Sequence, residues 1–283
     1  MKIKFYNPAS GVCKDSFGGA TFGFVGRFDP TDAASISLPF DLQGVTVSGT
    51  YEECLSRIPD VACQAAIVML GNAGEENAFI HRLAEKLKVP IVGGGAAIHP
   101  QTGETALITG RGQAAVFLIT DTRYRYEVCC ANIHKDVLSA HKITFSDPRR
   151  IDQIDGEDAA KWLANKKAEM GLPADDFEHI TLSDLNGINA HLSLVDGKIC
   201  SGRDLQQRML LRYVLREQVF DRMQKFYDDP QAIVFGCAGL KGILPRPISG
   251  KGVGLFMFGE VCTKDGVSEF GNLMLSKLRI LPK

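Results

Sequence analysis

The chain has 283 residues, enough for one large domain or two modest ones that share a core. Its hydrophobic fraction of 45% and charged fraction of 23% match globular averages and exclude extended disorder. Against 33 acidic residues stand 32 scattered basic ones, a formal net charge of −1, which gives no nucleic-acid footprint.

The opening Met1-Lys2-Ile3-Lys4-Phe5-Tyr6 turns polar too soon for a signal peptide. No apolar run approaches the roughly 20 residues needed to cross a bilayer, so a soluble cytoplasmic protein without membrane contact is expected. The first fifty residues, with Gly18 to Gly26 as their densest part, read as short strands and turns. A brief helix is predicted over Tyr51 to Ile58. Ala65 to Leu70 reads as a buried strand, closed by the turn Gly71-Asn72-Ala73-Gly74. From about Glu75 to Lys88 the spacing of Phe79, Ile80, Leu83, Ala84 and Leu87 predicts an amphipathic helix. Val89 to Val92 is a second buried strand, ended by Gly93-Gly94-Gly95. Thr105 to Thr109 and Ala114 to Thr120 are further strand candidates. Strand, glycine turn, helix and strand in this order make a βαβ unit, so part of the sheet should be parallel.

The middle segment runs from Lys142 to Phe145 and Arg150 to Gly156 into a helix through Ala159, Ala160, Trp162 and Leu163. Asp155 is its expected N-cap, with Asp158 placed for the reciprocal contact. Met170 to Glu178 is the linker candidate and divides the chain into halves at 1–170 and 171–283. Ile188 to Leu194 and Lys198 to Cys200 read as a hairpin around Asp196-Gly197. The longest helix is predicted from Leu205 to Tyr227, capped by Asp204 with Gln207, its stripe being Leu211, Val214, Leu215, Val219, Met223 and Phe226.

The chain then repeats itself. Ile67 to Gly74 aligns without gaps on Ala232 to Gly239, and the same offset sets Gly94 on Gly259 and Glu104 on Glu269. The connector Leu240 to Val253 holds Pro245, Pro247 and three glycines, so it cannot copy the helix of the first half. The fold class expected is α/β, with two pseudo-duplicated halves, each a mixed sheet flanked by helices.

Ligands of parallel sheets sit beyond the carboxyl ends of the strands. Gly71, Gly94, Gly236 and Gly259 all fall at such ends, where glycine lets main-chain N–H groups approach a ligand. Fitting a tight turn is the plain alternative for any one of them. Cys237 occupies the second turn where the first has Asn72, and Lys241 is near enough in sequence to lower its pKa. Cys237 reads as a pocket wall, a modification site or a nucleophile, although no His flanks it as a base. Glu260 could meet a ligand amino group or be solvated. The eight cysteines include no C-x-x-C pair, and Cys54, Cys63 and Cys237 lie in or beside apolar segments, so reduced thiols are expected over a disulfide framework. Neither a metal site nor a cofactor is signalled: the six histidines form no H-x-x-x-H pair, and no phosphate-cradling glycine motif is present.

Ile233 to Gly242, with Phe235, Cys237 and Gly239, resembles the cysteine motif of FIST domains, the sensory domains of bacterial signalling proteins and some F-box proteins. Gly254 to Val261, Phe270 to Leu275, Val89 to Gly95 and Thr144 to Ala160 are similar to further FIST stretches, in the family's order. The resemblance implies a ligand-sensing role, with Cys237, Gly259, Glu260 and Asn272 carried over. Lys241 stands where the family has arginine, after a one-residue insertion. On this reading the chain binds a small molecule, such as an amino acid or related metabolite, and passes a signal to a protein partner inside the cell. The alternative is a hydrolase or transferase using Cys237; an interaction scaffold is a third reading.

Overall fold

Ala65–Gly71 runs as a strand buried at every residue, and its two faces show why. Ala66, Val68 and Leu70 pack toward helices, while Ala65, Ile67 and Met69 face a second sheet. Covered on both sides, the strand needs apolar residues throughout. The structure is a computed structural model that describes residues 42–71, 74–96, 112–246, 248, 253–257 and 259–283, with the backbone of four short strands nearer the N-terminus. Those four, β1 (Lys4–Phe5), β2 (Asp15–Phe17), β3 (Ala20–Phe22) and β4 (Ile36–Ser37), form the pairs β1–β4 and β2–β3.

The first large sheet takes β5 (Gly44–Thr50), β6 (Ala65–Gly71), β7 (Ile91–Ala96) and β8 (Gln113–Ile119). Helices α1 (Tyr51–Arg57) and α2 (Glu76–Leu87) cover its outer face. A capping box starts α1: Thr50 Oγ1 accepts from Glu53 N, and Glu53 Oε2 accepts from Thr50 N at 2.8 Å. Phe79, Ile80 and Leu83 of α2 are buried against the sheet, each worth about 1.5–3 kcal/mol. The Tyr51 ring stacks on Phe79 at 4.6 Å. Lys88, in the left-handed region at φ 54, ends α2.

The second sheet takes β9 (Tyr124–Asn132), β18 (Ala232–Cys237), β19 (Val253–Met257) and β22 (Met274–Pro282). Its order, β19-β18-β22-β9, repeats that of β7-β6-β8-β5 strand for strand. In both, the first pair is parallel and the other two are antiparallel. Ile233, Phe235, Met257, Leu278 and Ile280 pack on the inner face of the first sheet. Helix α4 (Arg216–Tyr227) and the short α5 (Ala238–Gly242) share the outer core of the second. The result is an α/β/β/α sandwich. Between β19 and β22 a hairpin, β20 (Glu260–Lys264) and β21 (Val267–Gly271), crosses over to extend the first sheet beside β7.

A third, antiparallel sheet is inserted between β9 and α4. It holds β10 (Asp136–Asp147), β11 (Arg150–Ile154), β12 (Glu157–Asp158), β13 (Ile180–Ser183), β14 (Asn189–Ala190), β15 (Leu192–Val195), β16 (Lys198–Ser201) and β17 (Arg208–Tyr213). Helix α3 (Ala159–Glu169) packs on it through Trp162 and Leu163. This core draws on residues from both sides of position 170. The hairpin at Asp196-Gly197 is present, both residues having positive φ.

Four expectations are corrected. The long helix over 205–227 is a strand followed by a shorter helix: β17 pairs on one side with β10 and on the other with β13, burying Met209 and Leu211 on alternate residues. Asp204 binds Arg149 Nε at 2.8 Å instead of capping a helix, and Leu215 is exposed at the entry to α4. The cap of α3 is Asp158, whose Oδ1 accepts from Lys161 N; Asp155 lies at φ 53 in the β11–β12 turn and accepts from Lys142 N. Gly93 and Gly94 lie within β7, paired with Val68 and Met69 of β6, and neighbouring main chain there comes too close for a side chain: a Cβ on Gly93 would stand 1.8 Å from Val68 O. Finally, Cys130 and Cys262 are disulfide-bonded, while Cys54, Cys63, Cys129, Cys200 and Cys237 are free. Packing of β20 on β9 brings the bonded pair together, which spacing along the chain does not reveal. The strand expected over Thr105 to Thr109 lies outside the described residues.

Candidate functional site

Strand β18 ends at Cys237, and β20 begins at Glu260, directly after Gly259 at φ 88. Gly94 pairs with Glu260, and Gly95 N donates to Gly259 O at 2.9 Å, which clamps the start of β20 to the carboxyl end of β7. The β21–β22 connection then brings in Asn272 and Leu273. Leu273 is fully buried yet holds the left-handed conformation at φ 52, a conformation that costs a non-glycine residue about 1–2 kcal/mol.

Glu260 is 0% exposed. Its Oε2 accepts from Met274 N at 3.2 Å, and its Oε1 meets no nitrogen or oxygen donor among the described residues, the Cys237 thiol being the hydrogen-bonding group beside the carboxyl. Burial raises its pKa well above the usual carboxylate range. Cys237 lies against it. Burial pushes the thiol up and the Glu260 carboxyl adds to this, opposed by the main-chain amides of Leu273, Gly239 and Gly259 around the sulfur. The Tyr227 phenol, at the end of α4, is raised by burial and by the same carboxyl. A carboxyl, a thiol and a phenol, each raised by burial, therefore share one buried corner, floored by main-chain donors from three separate segments.

A polar network props this corner from behind. Asn189 Nδ2 donates to Leu273 O at 3.3 Å and to Asn132 Oδ1 at 2.9 Å. His134 Nε2 meets Glu178 O at 2.6 Å as donor, leaving Nδ1 to face Asn189 Nδ2. Burial pulls the His134 imidazole down to about 4. Asn272 is committed to this scaffold: its N donates to Asn189 O, and its Oδ1 accepts from His191 N. At the rim, a Cβ on Gly239 would stand 3.8 Å from Cys237 Sγ and 3.7 Å from Glu178 Cγ. Glu178 faces His191 at 3.7 Å, both side chains about one-third exposed, and this contact holds the Glu178 carboxyl below its ordinary pKa.

Of the residues expected at the site, Gly94, Gly236, Cys237, Gly259, Glu260 and Asn272 gather here. Gly71 gives its carbonyl to Tyr51 Oη and Gly112 N. Asn72 and the Lys241 side chain lie outside the described residues. Asn132, His134, Glu178 and Asn189 were not anticipated, and no motif marks them. A separate surface groove of about 640 Å³, lined by His81, Lys88, Thr263, Gly266 and Ser268, lies at the turn end of the β20–β21 hairpin, away from Glu260. Among the described residues no group of three His, Cys, Asp or Glu side chains could hold a metal ion, and no helix is long and apolar enough to cross a membrane. No protein-family model matches the chain, and no curated protein shows significant similarity to it.

Proposed function

We propose that the chain is a small-molecule-binding protein of the sensory kind that FIST domains represent, and that its ligand enters the Cys237–Glu260 corner. The observation that carries this reading is the Oε1 of the fully buried Glu260, which meets no nitrogen or oxygen donor among the described residues. An unmade hydrogen bond of this kind costs about 1–3 kcal/mol, and a ligand N–H or O–H recovers it. The left-handed Leu273 supports the same reading, since strain of this kind gathers at binding sites. The ligand class is a small metabolite with a donor group, amino acids included. Binding would alter how β20 seats between the two sheets, and a protein partner in the cytoplasm would read that change.

Thermal unfolding with a panel of amino acids, amines and hydroxy acids tests this. Ligand at a hundredfold its Kd should add about 2.7 kcal/mol, and Glu260→Gln should weaken the effect. Absence of stabilisation across the panel, or a ligand indifferent to Glu260→Gln, would defeat the proposal.

The second reading, a hydrolase or transferase, draws on the three amides at the Cys237 sulfur, which would stabilise a thiolate, with Glu260 as proton acceptor. Burial works against it by keeping the resting thiol protonated. Fast, selective alkylation of Cys237 at pH 7 would favour this reading over simple binding.

A further inference from the structure

The Cys130–Cys262 bond touches the same corner from the side of β9. Cys130 lies opposite Ser276 of β22, and Cys262 follows Glu260 by two residues, on the same face of β20. Their Cα atoms are 5.8 Å apart, within the span a disulfide bridges. The pair packs with Ile188 and Met274, and it is the Met274 amide that holds Glu260 Oε2. Bond, methionine and carboxyl are thus contiguous.

Two features suit this bond to a regulatory task. Main-chain pairing of β20 with β7 covers Glu260–Gly94 and Val261–Gly93, and Thr263 Oγ1 bonds Ile91 further on, so the covalent link at Cys262 adds, between these contacts, a tether from the strand to β9. The two sulfurs also differ in access, Cys262 being 1% exposed and Cys130 partly so. A small thiol or disulfide reaches Cys130 first, and Cys262 acts second.

We propose that Cys130 and Cys262 form a reversible thiol–disulfide clasp that governs access to the Cys237–Glu260 corner, with a low-molecular-weight disulfide such as glutathione disulfide as oxidant. The Cys130 thiolate attacks one sulfur of the small disulfide, forming a mixed disulfide and expelling one thiolate. The Cys262 thiolate then attacks the Cys130 sulfur, closing the bond and expelling the second. Two protein thiols lose two electrons and two protons, and the small disulfide becomes two thiols. Excess small thiol reverses both steps. The regulatory consequence rests on the ligand-site reading above; the exchange itself does not.

The full-length protein is equilibrated in glutathione buffers from thiol-rich to disulfide-rich, quenched and mapped by peptide mass spectrometry. In each buffer the rate of Cys237 alkylation by iodoacetamide is recorded. The expected result is a bond that opens and closes across the series, with Cys237 labelled about tenfold faster when it is open. Cys130→Ser should label fast in every buffer. A bond that stays closed in the folded protein through the thiol-rich end, one that never forms, or one that switches with no change at Cys237 overturns the clasp. The wild-type titration stands even if Cys130→Ser fails to fold. A metabolite panel without hits, beside a clasp that switches, would defeat the ligand reading and leave the exchange intact.

Discussion

Gly94 and Gly259 meet main chain to main chain: the Gly259 carbonyl lies 2.2 Å from where a Cβ on Gly94 would stand. This contact joins the β20 hairpin to the first sheet and sets the depth of Glu260. Gly94→Ala forces the two strands apart and should cost about 1–3 kcal/mol or more, read as a lower midpoint in urea unfolding. Gly242→Ala, with nothing within 4 Å of the added carbon, should stay within about 0.5 kcal/mol of wild type.

Glu260 raises the Cys237 pKa through its charge, so removing that charge has a defined sign. In Glu260→Gln the pH midpoint of Cys237 alkylation should move down. A midpoint that stays in place, or rises, would mean burial alone sets the thiol.

His134 is fully buried, its pKa held at about 4 against 6.5 for a free imidazole. The unfolded chain binds a proton in that interval and the folded chain does not. The stability this group contributes is therefore present above pH 6.5 and is lost progressively as pH falls toward 4, about 3 kcal/mol in all. Denaturant titrations at half-unit pH steps should show that slope in wild type and a flatter one in His134→Gln. Asp121, held to about 2 chiefly by its hydrogen bonds to Arg123, gives up its own contribution further to the acid side, from about pH 5 down to about pH 1, so the steepest His134 loss comes first.

Arg203 is buried between Asp184 (3.2 Å) and Glu269 (3.1 Å), linking the third sheet to β21. Arg203→Met leaves two carboxylates facing each other without a cation and should cost about 3–5 kcal/mol. In a double-mutant cycle with Asp184→Asn, the second change should cost much less once Arg203 is gone. Full additivity would show that the pair does not couple.

Much of the sandwich was legible in the sequence because its signals are local. The unbroken apolar run of β6, the stripe Phe79, Ile80 and Leu83 of α2, and Asp196-Gly197 each act over a few consecutive residues. Gly259 and Glu260 stood out beside the end of an apolar strand for the same reason, whereas Gly94, read as a strand end, lies inside β7. What spacing could not reveal was partnership. Residues 208–213 suit a helix or a strand almost equally, and pairing with β10 and β13, more than twenty residues upstream, decides the matter. Asn132, His134 and Asn189 are ordinary polar residues until burial makes them a network. Cys130 finds Cys262, and Gly94 finds Gly259, only because two sheets close over a common core. Backbone conformation is biased by near neighbours; the depth, charge state and partners of a side chain are set by the chain segments that pack around it.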